Sequence, residues 1–156
     1  MLGCGNAQFS EDLYDAGYHN IWNIDISSVC IEQQTERNKV KRPKMKYEVM
    51  DCCDLKYPDN FFDCAIDKST IDALLCGDNA YLNVAMMLKE GQRVIKEDKG
   101  IYFAVSYGNP ESRSMHFTRK HLSWTLQEFI FYPAEAKDEK EKEEKSHFIY
   151  ICTKNH

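Results

Sequence analysis

An α/β fold is predicted for this chain, and three observations predict it. Short apolar runs alternate with stretches of helical periodicity over the first two-thirds of the sequence. A glycine turn, Leu2-Gly3-Cys4-Gly5-Asn6, precedes the first helical stretch, and the next apolar run ends in an acid, Asp25. The last third changes to two strand-like runs that flank a charged segment. Strands separated by helical crossovers pair in parallel, because no tight turn can join parallel neighbours. The prediction is therefore a Rossmann-like, mostly parallel sheet with helices on both faces and a C-terminal antiparallel hairpin. Its first strand is expected to be truncated, since only Met1 and Leu2 precede the turn.

Each element has its own signal. Phe9, Leu13 and Ala16 sit at helical spacing, and Gly17 supplies a stop. Ile21 to Asp25 reads as a short buried strand. Ser27-Ser28 caps a second helix that must end before Pro43. Met45, Tyr47 and Val49 alternate as a strand to Met50. Pro58-Asp59-Asn60 turns the chain into another, Phe62 to Ile66, which ends in Asp67-Lys68. Tyr81, Val84, Met87, Leu88, Gly91, Val94 and Ile95 then form one stripe of a long helix. Gly91 costs that helix about 1 kcal/mol against alanine, so it is read as a close-packing point against the sheet. Lys99-Gly100 turns into a strand over Ile101 to Ser106. Trp124 to Tyr132 and His147 to Thr153 form the final hairpin. The charged run Lys137 to Lys145 between them is expected to be a solvated, mobile loop with frayed helical turns.

Composition narrows the function. At 156 residues the chain is read as one domain, able to bury roughly two-thirds of its unfolded surface. A net charge of −5 argues against a general nucleic-acid or anionic-membrane binder, which needs a basic face. No apolar stretch approaches the ~20 residues of a membrane span, and nothing resembles a signal peptide. The seven cysteines are odd in number and scattered, with no C-x-x-C pair, so no metal site is expected and a reducing, cytoplasmic compartment is. Cys52 and Cys53 are adjacent, and in a strand they would point to opposite faces.

A G-x-G turn lets a ligand approach the backbone without a Cβ in the way. An acid about twenty residues later, at the tip of the next strand, is placed to accept from ribose hydroxyls. Together they indicate a nucleoside cofactor. A dinucleotide wants a third glycine three residues on, where this chain has Gln8, so NAD and FAD are disfavoured. S-adenosylmethionine carries no phosphate and needs the turn, the ribose acid and a polar adenine site. Val49-Met50-Asp51-Cys52 suits the last, with the Asp51 side chain for the exocyclic amine and the Cys52 N–H for a ring nitrogen.

These residues resemble a known family. Leu-Gly-Cys-Gly-Asn at 2–6, Asn-Ile-Asp-Ile-Ser at 23–27 and the block from Met50-Asp51 through Asp67-Lys68-Ser69-Thr70-Ile71-Asp72-Ala73 are similar to class I S-adenosylmethionine-dependent methyltransferases. More narrowly, they resemble the eukaryotic elongation factor 1A lysine methyltransferases, well over residues 2–106 and in outline beyond. The resemblance implies Gly3 and Gly5 along the methionine portion of the cofactor, Asp25 and Ile26 at its ribose and adenine, and Asp51 and Cys52 at the adenine edge. Lys68 matches a cofactor-contacting lysine. It also implies a protein substrate, S-adenosylhomocysteine as product, and a helical segment before the first strand that this chain is expected to lack.

One position departs from the family, where Asp-Lys-Gly becomes Asp67-Lys68-Ser69, so a β-carbon stands where glycine's freedom is expected. Methyl transfer to lysine needs an unprotonated amine, and Asp67 and Asp72 are the nearest candidate acceptors, each with a structural alternative. His116 and His121 lie in a polar stretch read as helical and are expected at the surface or in a substrate loop. Tyr107 to Glu111, with Arg113 and His116, stands open as an acceptor pocket or an ordinary loop. Two other functions remain open on the residues, a small-molecule methyltransferase and a catalytically silent binding module of the same fold.

Overall fold

The computed structural model describes residues 1–133, 138, 141–142 and 145–155. Among the described residues, six strands and five helices follow in the order α1 (Phe9–Asp15), β1 (Trp22–Asp25), α2 (Ser28–Asn38), β2 (Lys46–Val49), β3 (Cys64–Lys68), α3 (Thr70–Leu75), α4 (Ala80–Val94), β4 (Ile101–Ser106), α5 (Pro110–Phe117), β5 (Trp124–Phe131) and β6 (His147–Lys154). β1 and β2 pair in parallel, and β3, β4, β6 and β5 form a second set in that spatial order. Within it β3 and β4 are parallel, while β6 runs antiparallel to both β4 and β5.

Residues 1–4 join the two sets. Leu2 N–H donates to Ile66 O at 2.8 Å, Cys4 N–H to Ile24 O at 2.8 Å, and Ile24 N–H to Met1 O at 3.0 Å. The short run thus lies between β1 and β3, with a single parallel bridge, Leu2 to Asp67, on the β3 side. The result is the Rossmann-like, mostly parallel sheet with a terminal antiparallel hairpin that the alternating pattern predicts.

Alternation on β3, β4 and β6 buries Ala65, Asp67, Tyr102, Ala104, Tyr150 and Cys152 on one face. That face meets the apolar stripe of α4, in which Val84, Met87, Leu88, Gly91 and Val94 are buried. Gly91 is the close-packing point: a Cβ there would lie 2.5 Å from the Tyr102 ring. Tyr81, read into the same stripe, is instead exposed. Phe117 of α5 packs against Tyr150 and Tyr102. On the opposite face Phe9 and Leu13 of α1 share a cavity of about 760 Å3 with Ile66, Phe103 and the Trp22 and Phe62 rings.

One helix, α3, escapes the sequence reading, while the polar stretch around His116 is helical as that reading has it. α3 has only six residues, too few to show a period, and begins after Ser69 in the left-handed conformation. α5 starts from an Asn109 cap, whose side chain accepts from Ser112 N–H, with Pro110 in the first turn. The predicted charged loop lies largely outside the described residues. No helix among the described residues is long and apolar enough to cross a membrane.

Candidate cofactor site

In open α/β sheets ligands bind beyond the carboxyl ends of the strands, where neighbouring crossovers diverge. Here that edge is formed by the turn at residues 3–6, by Asp25 at the end of β1, by residues 50–53 after β2, and by Lys68 at the end of β3. Gly3 and Gly5 both have positive φ, 60° and 51°. Gly5 N–H donates to Asp25 Oδ2 at 2.9 Å, and Ser27 N–H donates to Oδ1 at 2.9 Å. The acid therefore fastens the glycine turn to the end of β1 and also braces the start of α2, which Ser27 caps. A carboxylate has about four acceptor positions, so two remain for a ligand's hydroxyls.

The turn leaves room for such a ligand. A Cβ on Gly5 would meet no atom within 4 Å, whereas one on Gly3 would lie 2.5 Å from Thr70 Oγ1. Thr70 Oγ1 donates to Leu2 O at 2.7 Å, so α3 is stitched to the underside of the turn. Beside Asp25, Ile26 is 75% exposed, an apolar side chain left beside the space over the turn. Asp51 is exposed as well, and its Oδ1 accepts from Cys53 N–H at 2.8 Å. Residues 52 and 53 form a turn, not strand. That corrects the expectation for Cys52 and Cys53: their sulfurs and an Asp51 oxygen lie within 4.8 Å of one another.

The two acids beneath this edge are committed to the fold. Asp67 is fully buried; its Oδ1 accepts from Thr70 N–H at 2.8 Å and Ile71 N–H at 3.2 Å, and its Oδ2 from the Tyr102 hydroxyl at 3.3 Å. Burial pushes its carboxyl up to about 7, while those donors pull it down. Asp72 accepts from Ser106 Oγ at 2.5 Å, Tyr107 N–H at 3.1 Å and Arg113 at 2.9 Å. Both acids thus act on the loops around the edge. A proton acceptor needs an oxygen open to the substrate; Asp67 is closed off by burial, whereas Asp72 is half-buried and its Oδ2 accepts from Tyr107 N–H. Lys68 forms no ion pair with either acid.

Other expectations shift for physical reasons. His116 is 1% exposed, not a surface residue, with its ring against Tyr81 and Nδ1 3.2 Å from Arg119. Burial, with Arg119 and Arg113 adding, lowers its pKa. His121 is exposed. Arg113 is tied to Asp72 and Ser106, while Tyr107, 63% exposed and touching His147, is open on that loop together with Asn109 and Glu111. The Asp72–Arg113 pair spans 41 residues and no local pattern announces it. The apolar cavity on the other face is lined by none of the candidate residues. Its few charges include Asp63 and Lys96, which pair with each other at 2.6 Å.

A glycine turn fastened to a strand-end acid, on a sheet of this order, defines a class I S-adenosylmethionine-dependent methyltransferase fold. The chain belongs to the methyltransferase-domain family, which matches residues 1–103. It is 43% identical over 108 residues to the eEF1A lysine and N-terminal methyltransferase of Bos taurus, a match covering 68% of this chain and 15% of that protein. It therefore spans only a small part of that relative's length. Among solved structures, an S-adenosylmethionine-dependent methyltransferase of Methanosarcina mazei superposes with a TM-score of 0.72 at 16% identity, covering 99% of this chain and 90% of that one. Phosphoethanolamine N-methyltransferase 2 of Haemonchus contortus, solved with S-adenosyl-L-methionine, gives 0.72 at 14% identity over 99% of this chain and 48% of that one.

Proposed function

We propose that this domain binds S-adenosylmethionine over the Gly3–Gly5 turn and methylates a protein amine, foremost a lysine of elongation factor 1A. The observation that carries the cofactor is the bond from Gly5 N–H to Asp25, which presents a ribose-binding acid beside a turn open to a ligand. The substrate is supported by the 43% identity to a relative named for that activity.

When bound, S-adenosylmethionine would supply an electrophilic methyl group: an unprotonated amine would bond to the methyl carbon as its bond to sulfur breaks, with S-adenosylhomocysteine as the leaving group. The chain's part is to bind and align. Gly3 and Gly5 admit the methionine portion, Asp25 holds the ribose hydroxyls, and Ile26 covers the adenine. Asp51 and the Cys52 N–H face the adenine edge, and Lys68 sits beside the turn at the end of β3. Asp67 and Asp72 hold α3 and the loop after β4 in place. Tyr107, on that loop, contributes to the wall on which the acceptor amine rests. With Asp67 closed off, the amine loses its proton by desolvation as it enters the site, since burial favours the neutral form of a lysine.

The test is transfer of radiolabelled methyl from S-adenosylmethionine to recombinant elongation factor 1A, with the product mapped by mass spectrometry. Label on a lysine side chain is the expected result. Label confined to small molecules, or none on protein, contradicts the protein-amine reading.

A further inference from the structure

At the glycine turn lie two thiols that cofactor binding does not use. Cys4 sits within the turn, Asp25 ends β1 and Cys30 lies in the first turn of α2. The two sulfurs and a carboxylate oxygen of Asp25 all lie within 4.8 Å of one another. We propose that Cys4, Asp25 and Cys30 form a site for a borderline-soft divalent cation of the zinc class, and that the ion and the nucleoside cofactor exclude one another because both use Asp25.

The donor set suits that ion. Zinc takes thiolate at about 2.3 Å and carboxylate at about 2.0–2.2 Å in tetrahedral sites, which sets neighbouring donor atoms about 3.5–3.8 Å apart. A spread of at most 4.8 Å needs a contraction of about 1 Å. The three donors come from three separate elements that the fold already clamps together. The carboxylate is oriented by N–H groups from Gly5 and Ser27, the kind of outer-shell bonding that fixes a metal-binding carboxylate. The Cys30 thiol donates to Asn6 Oδ1 at 3.6 Å, a bond it gives up on binding the ion, and that oxygen or water completes the coordination.

Binding replaces the two thiol protons with one dication, so that two thiolates and a carboxylate face charge of opposite sign. Sequence spacing could not suggest this, because Cys4 and Cys30 are separated by a helix and a strand. The second thiol cluster, Asp51, Cys52 and Cys53, is weaker: it is three consecutive residues on a turn, not donors from separate elements.

The exclusion clause rests on the proposed cofactor site; the metal site does not. The reduced 156-residue chain is titrated with Co2+, followed by its thiolate-to-metal charge-transfer absorption, and then with Zn2+. The expected result is a band that saturates at one equivalent and is bleached by Zn2+. Cys30→Ser, a change at a half-buried position, is expected to weaken binding at least about tenfold with an unchanged circular dichroism spectrum. Cys53→Ser is expected to leave the band intact. No band, or a band lost in Cys53→Ser and kept in Cys30→Ser, overturns the assignment. S-adenosylhomocysteine is expected to weaken Co2+ binding. If calorimetry shows no S-adenosylhomocysteine binding while the band persists, the cofactor reading fails and the metal site stands; if it binds without weakening Co2+, mutual exclusion is overturned.

Discussion

Gly5 and Asp25 are joined by a 2.9 Å hydrogen bond from the Gly5 N–H to a carboxylate oxygen, across twenty residues of chain. The bond makes two features of the sequence one object. The turn needs glycine because its φ is positive, and the acid's bond holds the turn in that shape. Because Asp25 also accepts from Ser27 N–H, the same side chain aligns the turn, the strand end and the start of α2.

Gly91 is expected to resist replacement although alanine favours a helix. A Cβ would lie 2.5 Å from Cε2 of Tyr102, a ring packed on Phe117 and Trp124. Overpacking costs about 1–3 kcal/mol, more than the ~1 kcal/mol that alanine contributes by propensity. Urea unfolding of Gly91→Ala should show a net loss of stability. A gain would mean the ring moves aside freely.

Ser69 should respond in the opposite direction. It sits at φ 64°, ψ 9° with no side-chain cap bond, where the β-carbon is a liability. Ser69→Gly is expected to stabilise the protein by about 0.5–1 kcal/mol, net of glycine's greater freedom when unfolded. Thermal melting of the two proteins measures it, and a lower midpoint for the glycine variant contradicts the strain.

Asp67 gives the stability a pH dependence of known sign. Its folded carboxyl, raised by burial to about 7, titrates well above the ordinary 3.8. Between those values the folded chain keeps a proton that the unfolded chain has released. Its contribution is therefore full below about pH 4 and is lost as the pH rises through 7. Asp67→Asn keeps an oxygen for Thr70 and Ile71 N–H but cannot ionise. It should match the parent near pH 4 and exceed it by more than about 1 kcal/mol near pH 8. A difference that does not change with pH contradicts the burial of an ionisable Asp67.

Arg113 should matter for turnover more than for cofactor binding. Its bonds to Asp72 and Ser106 fix the loop that carries Tyr107. Arg113→Met is expected to cost about 1–3 kcal/mol of stability. Methyl transfer should fall while S-adenosylhomocysteine affinity stays within about twofold, a change below 0.5 kcal/mol. Equal losses in both would place Arg113 at the cofactor instead.

Much of this fold can be read from periodicity. β4 spans Ile101–Ser106 as its alternation indicates, and α2 begins at the Ser27 cap. The glycine turn, Asp25 and the residues after β2 also share one edge, as their positions at strand ends imply. What escapes is what depends on distant partners. α3 is too short for a period, and its stitch to residue 2 crosses 68 positions. His116 looks polar in sequence, yet α5 turns it inward against Tyr81. Asp67 and Asp72 sit where a base is wanted, but Tyr102 and Arg113 claim them from strands and helices that no local pattern connects.

The most direct measurement is titration calorimetry of the 156-residue chain and its Asp25→Ala variant with S-adenosylhomocysteine. Removing the acid deletes the ribose acceptors and frees the Gly5 N–H, a loss of about 1–3 kcal/mol or roughly tenfold to a hundredfold in affinity. Micromolar binding by the parent and that loss in Asp25→Ala is the expected result. Binding that is absent in the parent, or unchanged in the variant, would contradict a cofactor site built on Gly5 and Asp25.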